Sequence, residues 1–254
     1  MAAVAAAGLL VAVAGPAQAA TPVGLGTATS FVVLAGAGVT NTGPTTLNGD
    51  VGTFPTTSIS GAGSLTVTGT VHAGDAVTQD AKTDLVTAYD VAAGQASNVT
   101  VSADLAGQTL VSGVYTSAST MGLSGALTLD AAGDPDAVFV FQVGSALTVG
   151  NGASVLLTNG AQACNVIWQV GSSATVGTGA QFRGTVLALT DITLATGATA
   201  EGRLLARNGA VTLDTNVVTR PSCTTPTGGT STTTAQDAAA RDAAAQAAAD
   251  QAAA

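Results

Sequence analysis

Charge is what this chain lacks most. Asp, Glu, Lys and Arg make up 8% of its 254 residues, where about 25% is usual. Six basic residues, a formal net charge of -9 and an aromatic share of 3% exclude nucleic-acid binding, which needs a basic surface or stacking platforms. The same shortage excludes a cationic helix lying on a membrane. A single His, His72, and only two Cys argue against a His-based nucleophile and a Cys/His metal cluster, so no cofactor is expected. The 32 glycines contain no phosphate-binding or dinucleotide fingerprint and read as corner residues. What is present is small and neutral: Ala, Gly, Val, Ser and 40 Thr. A hydrophobic fraction of 46% and a mean hydropathy of +0.46 are enough to bury a core, unlike the compositions of disordered chains.

The ends differ from the middle. Residues 1–20, MAAVAAAGLLVAVAGPAQAA, form an apolar run closed by Ala17-Gln18-Ala19, the pattern of a cleavable export signal over 1–19. The run is short for a membrane span, so none is expected in the mature chain. No Lys or Arg precedes it, which points to a true start upstream. Residues 224–234, TTPTGGTSTTT, read as a Thr/Gly/Pro linker, and the Ala-rich 235–254 as a solvated helical tail or spacer. One domain, 20–223, remains. In an exported chain, an even cysteine count favours a Cys164–Cys223 disulfide over two buried thiols.

Four lines of similar sequence recur: FQVGSALTVGNGAS from Phe141, WQVGSSATVGTGAQ from Trp168, LALTDITLATGAT from Leu187 and LLARNGAVTLDTN from Leu204. Their anchors Thr148, Thr175, Thr193 and Thr212 lie 27, 18 and 19 residues apart. A period of 18 to 20 with β-branched alternation and corner glycines predicts a mainly β chain wound as a solenoid. The longer first interval is assigned to a loop over Leu156 to Cys164. SFVVLAGAGVTNTGPTTLNGDVG, SISGAGSLTVTGTVHAG and GVYTSASTMGLSGALTLDAAGD read as less regular coils. Between them, Val77, Ala81, Leu85, Ala88, Tyr89 and Ala92 recur at helical spacing, with Asp75 as N-cap and Gly94 as stop.

Stacked coils turn these anchors into ladders. One column is Thr148, Thr175, Thr193 and Thr212; three residues later comes Asn151, Thr178, Thr196 and Thr215, giving TVGN, TVGT, TLAT and TLDT. Neighbours in a column stand about 4.8 Å apart, so hydroxyls and methyls form an ordered array that can organise water. Positions i and i+3 of a straight strand face opposite ways, so the columns share a face only if the chain bends at Gly150 and Gly177. Asp214 puts a charge beside the last pair. Strand propensity alone also favours Thr on a solvent face, as in secreted adhesins or spacers.

NGDVGTFPTTSISG (48–61), TVTGTVHAGD, DPDAVFVFQVGSALTVGNGA, NGAQACNVIWQVGSSATVGTGAQFRGTVLALTDITL and GRLLARNGAVTLDTN together resemble the microbial ice-binding (antifreeze) family, over roughly Thr27 to Val218. The resemblance implies a right-handed, discontinuous β-solenoid of triangular section with one long helix alongside. It also implies that the Thr, small, any, Thr/Asn pattern is the ice-binding face, so the expected partner is an ice crystal surface. A secreted monomer giving thermal hysteresis and recrystallisation inhibition is expected, either free or associated with a cell surface. Polysaccharide-active β-helix enzymes are the other class to weigh. Asp134 and Asp136 around Pro135, and Arg203 and Arg207 beside Asn208-Gly209, lack sugar-stacking aromatics and read as structural; the chain is expected not to be an enzyme. Trp168, aligned with Phe141 and Leu187, reads as core. Arg183 and Arg203 are placed off the Thr face, and Thr66, Thr68 and Thr70 form the reserve candidate surface.

Overall fold

The computed structural model describes residues 19–97 and 99–223. The expected signal, linker and Ala-rich tail lie outside these residues, apart from Ala19. Irregular coils come first, through β1 (Phe31–Ala35), β2 (Gly38–Thr42), β3 (Thr45–Asn48), β4 (Asp50–Thr53), β5 (Ile59–Ser60), β6 (Leu65–Val67) and β7 (Val71–Ala73). Helix α1 (Ala76–Ala93) follows. The chain then winds through β8 (Val99–Thr100), β9 (Thr109–Leu110), β10 (Gly113–Ser117), β11 (Met121–Leu123), β12 (Ala126–Asp130), β13 (Phe139–Val143), β14 (Leu147–Val149) and β15 (Ser154–Thr158). It closes with β16 (Val166–Val170), β17 (Ala174–Val176), β18 (Gln181–Ala188), β19 (Ile192–Leu194), β20 (Thr199–Ala206), β21 (Ala210–Asp214) and β22 (Val217–Thr219).

All the strand pairings are parallel and they build three faces. A seven-stranded sheet runs β11-β14-β17-β19-β21-β2-β5. The other two faces are joined into one 15-stranded sheet, because the eight-residue β18 and β20 carry the ladder round a corner. The solenoid is discontinuous. The last full coil docks on the first, with β20 pairing β1 and β21 pairing β2, so coils near the start of the chain continue the stack that the end of the chain lays down.

The helix makes this order possible. Eighteen residues at 1.5 Å rise span about 27 Å, five to six strand spacings, so α1 carries the chain back along the stack. Asp75 accepts a hydrogen bond from the Thr78 amide at 2.9 Å, satisfying an orphan N–H of the first turn. At the far end Gln142 Nε2 donates to Ala92 O at 2.9 Å and Gln95 O at 2.7 Å. Strands beneath the helix are covered on both sides, which is why FVVLA, FVFQV and VIWQV are nearly continuous apolar runs.

The buried stripe differs from the expected one in the first two turns of the helix. Val77 is 47% exposed, and Thr78 and Lys82 take the inward positions. Lys82 Nζ donates to Ala206 O at 2.7 Å and to Arg207 O. Burial, with Arg207 adding repulsion, lowers its amine from 10.5 to about 8. Between those values the unfolded chain binds a proton that the folded chain does not, so stability rises with pH across that window. Urea midpoints measured from about pH 8 to 10 should climb for the parent and stay flat for Lys82→Met.

Inside the coils, Tyr115, Phe141, Trp168, Val186, Leu204, Val33 and Val51 form one register column. Trp168 stacks on Phe141 at 3.9 Å between centroids and 10° between planes. Its lower neighbour is Val186, not Leu187, which pairs with Gln169 and packs under the helix. The expected alignment is off by one because the third repeat has one residue fewer between its start and its Thr.

Cys164 and Cys223 are bonded, with Cα atoms 6.1 Å apart and a sequence separation of 59. Cross-linking a loop of that length restricts the unfolded chain by up to about 4 kcal/mol. Replacing both by Ser should lower the urea-unfolding free energy by an amount approaching that figure while leaving the far-UV spectrum intact.

Candidate functional site

The seven-stranded sheet alternates where the helix-covered strands do not. In β14 and β17 the order is buried, exposed, buried, so each three-residue strand sends two side chains into the core and one outward. Gly122, Thr148, Thr175, Thr193, Thr212, Thr40 and Ser60 stand in continuous register along the outer side. Asp104, bridged to Gly122, adds one more place at the end. Beneath them, Met121, Leu147, Ala174, Ile192, Val211, Val39 and Ile59 line the core in the same register.

The structure thus brings the four predicted Thr of the first column together and lengthens the column with Thr40 and Ser60. Those two were missed because the reading followed chain order, whereas in space β2 follows β21. A partial signal was available in AGVTNT, whose Val39-Thr40 step matches the apolar-Thr step of the later coils, although Asn41 stands where they carry an apolar residue. Seven strands at about 4.8 Å give a sheet about 29 Å long, and three residues at about 3.3 Å make it about 10 Å wide.

Flatness follows from the flanking positions. Two residues before the central Thr stand Ala146, Ser173, Asp191 and Ala210; two after it stand Gly150, Gly177, Ala195 and Asp214. No long side chain rises from these places. The third face of the solenoid is different: its outward residues include Leu156, 40% exposed, Gln181, and the ion pair between Arg183 Nε and Glu201 Oε2 at 3.1 Å.

The second column lies in the turns that end these strands. Gly152 N donates to Thr178 O at 2.9 Å, Gly179 N to Thr196 O at 3.1 Å, Gly197 N to Asp214 O at 3.1 Å and Thr215 N to Thr42 O at 3.0 Å. The ladder therefore reads Asn151, Thr178, Thr196, Asp214, Thr42. Asp214 takes the fourth place and Thr215 is displaced to one side with φ +55°, because β21 runs one residue past the point where β19 ends before it turns. The strand β17 ends at Val176 and the chain turns from Gly177, where Ala180 N donates to Gly177 O at 3.1 Å. A Cβ on Gly177 would stand 2.6 Å from Asn151 Oδ1, and Gly179 adopts φ +65°. Asn151 Oδ1 also accepts from the Thr178 amide at 2.9 Å. Just beyond the ladder, buried Asn216 fastens the corner, donating to Ala195 O at 2.9 Å and Ala198 O at 3.0 Å.

Three carboxylates mark this surface, Asp104, Asp191 and Asp214, and Asp191 accepts from the Ala210 amide at 2.7 Å. The Thr196 hydroxyl, and then that of Thr215, donate to Asp214 and hold its carboxyl below the usual range. Asp104 is lowered in the same direction, first by the Ser124 hydroxyl and then by the Ser124 and Ala106 amides. Asp104 and Asp214 thus stay charged below the usual carboxylate range, and the strands of Thr148, Thr175 and Thr193 lie between theirs.

The residues weighed for other chemistry are structural. Arg203, read as structural and placed off the Thr face, is 5% exposed and donates Nε to Thr29 O at 3.0 Å. Arg207 pairs with Asp90 at 3.1 Å and lies over Tyr89 at 5.4 Å. Asp134 Oδ1 accepts from the Asp136 amide at 2.9 Å within a turn. His72 Nδ1 meets Asp75 Oδ2 at 2.6 Å at the helix start. Among the described residues, no group of three His, Cys, Asp or Glu is placed to hold a metal ion, and no helix is long and apolar enough to cross a membrane.

A discontinuous parallel β-solenoid with one helix along it and a flat, threonine-bearing sheet defines a class of surface-presenting proteins. The model of the ice-binding-like family matches residues 33–219, and the chain belongs to that family. It is 48% identical over 204 residues to an ice-binding protein of Nostoc sp. (strain HG1), covering 80% of this chain and 76% of that one. With an ice-binding protein of Flavobacterium frigoris (strain PS1) it shares 34% identity over 217 residues, 78% and 76% of the two chains. A crystal structure of an ice-binding protein from an Antarctic biological consortium superposes with a TM-score of 0.79 at 48% identity, over 84% of this chain and 97% of that one. The ice-binding protein of the Antarctic ascomycete Antarctomyces psychrotrophicus gives 0.77 at 46%, over 80% and 100%.

Proposed function

We propose that this chain adsorbs to ice through the seven-stranded sheet, without catalysis. Thr148, Thr175, Thr193, Thr212 and Thr40 form the central contact; Asn151, Thr178 and Thr196 extend it along the corner, with Thr215 at its margin. The observation that carries this reading is the unbroken register of outward Thr with small residues on either side. Each Thr presents a methyl and a hydroxyl at the strand spacing, so water over the sheet is ordered by a repeating template and not by an isolated charge. A single such contact is weak. Because the sheet is rigid, its contacts form together, and many weak contacts made at once are slow to release. Adsorbed chains then pin the growing crystal between them, and growth resumes only at greater undercooling.

Secretion completes the reading. The leader-like residues 1–19 and a disulfide, which persists in oxidising surroundings, both support a chain that works outside the cell. Thermal hysteresis with inspection of crystal habit tests the function: faceted crystals and a gap between melting and freezing are expected. Unfaceted growth at high protein concentration, with no inhibition of recrystallisation, would reject it.

A further inference from the structure

We propose that the groove between α1 and the Phe54-Pro55-Thr56 segment is a binding site for a small oxyanion, with Lys82 as its charged anchor. The groove has a volume of about 510 Å³ and is walled by Lys82, Thr83 and Val86 from the helix, Phe54 to Thr56 on one side and Arg207-Asn208 on the other. It lies apart from the Thr columns.

Three features point to an anion. First, Lys82 is nine-tenths buried and no carboxylate pairs with it; the ion pairs among the described residues are His72–Asp75, Arg183–Glu201 and Arg207–Asp90. Two of its three N–H bonds go to backbone carbonyls, of Ala206 and Arg207, and the third is unassigned. A buried charge without a counter-ion is costly, and an anion in the groove would remove that cost. Second, Arg207 lines the same groove and is close enough to repel the Lys82 charge. In a chain with six basic residues and a net charge of -9, two of them share one recess; Asp90 answers only Arg207. Third, Thr56 lines the same wall; its hydroxyl is buried with no hydrogen-bond partner among the described residues, buried hydroxyls are seldom left so, and rotation about its Cα–Cβ bond would turn it into the groove. An oxyanion accepts from a hydroxyl and an ammonium together, which chloride does less well through one atom.

Inorganic phosphate and the carboxylate of a uronic acid share this chemistry, and they can be told apart. Lys82 is the sole lysine of the chain, so selective labelling gives the full-length protein a single lysine ¹³Cε signal. That signal should move along a saturable curve on titration with sodium phosphate or sodium glucuronate, and not with sodium chloride at matched ionic strength. Saturation at lower concentration by phosphate assigns a free inorganic anion, and by glucuronate an acidic saccharide. Thr56→Val removes a hydroxyl that bonds nothing in the free protein, so it should fold normally and weaken binding about fivefold, the loss of one hydrogen bond. A shift that only follows ionic strength in all three salts, or a Thr56→Val chain that titrates like the parent, would overturn the proposal.

Discussion

Thr175→Tyr should fold as the parent does and lose most of its thermal hysteresis. Thr175 lies at the middle of the outward column, exposed, with Thr148 and Thr193 as its register neighbours. An exposed strand position changes stability by under about 0.5 kcal/mol, so the far-UV spectrum and the urea midpoint should hold. A Tyr ring standing on a sheet about 29 Å long lifts the neighbouring coils from the ice as well as its own. Thr178→Tyr and Thr196→Tyr, on the corner ladder, should act in the same direction but less strongly, since the ring can lean away from the sheet. The matching control is Thr199→Tyr, an exposed strand position on the third face, which should leave activity unchanged. Arg203 cannot serve as a control, because it is buried against Thr29. If Thr175→Tyr unfolds, the column faces the core; if it keeps full activity, the surface lies elsewhere, with Thr66, Thr68 and Thr70 next to examine.

The largest effect on stability is expected from Trp168→Ala. The ring is fully buried, stacks on Phe141 and stands 5.3 Å from Phe182, and its Nε1 donates to Arg183 O at 3.1 Å. Truncation removes contacts to both neighbouring coils and leaves a cavity in a rigid stack that has little freedom to collapse. A loss of about 3–5 kcal/mol is expected, a fall in Tm on the order of 10 °C for a domain of this size. Scanning calorimetry measures it. Hysteresis near 0 °C should survive, since the outward column is untouched; equal loss of stability and activity would mean that core and face are not separable. Trp168→Phe should recover most of the stability, because it keeps the stacking and gives up one hydrogen bond.

How much of this could be read from the residues depends on what repeats in chain order. The four lines from Phe141 to Asn216 carry their register openly, so the Thr148, Thr175, Thr193 and Thr212 column was legible, as were the helix and its Asp75 cap. Thr40 and Ser60 were not, since their neighbours in space lie far along the chain and only the docking of β1 on β20 brings them into line. Lys82 was invisible for another reason. A lone lysine on a helix normally faces water, and its burial depends on two carbonyls supplied by β20 and the residue after it. The replacement of Thr215 by Asp214 in the corner ladder turned on strand length, which a motif four residues long does not encode. Continuous apolar strands against alternating ones did distinguish helix-covered from outward faces, and that contrast, present in VIWQV and SATVG, identifies the outward sheet without any motif.

Partition during slow freezing tests the central claim most directly. A dilute solution of the chain is grown slowly onto a seeded ice surface, and Trp168 fluorescence is compared in the melted ice and in the remaining liquid. Adsorption through the Thr sheet predicts that the parent and Thr199→Tyr are enriched in the ice fraction while a Thr175→Tyr/Thr193→Tyr double variant stays in the liquid. A parent excluded from the ice, or a folded double variant incorporated as fully as the parent, would contradict it.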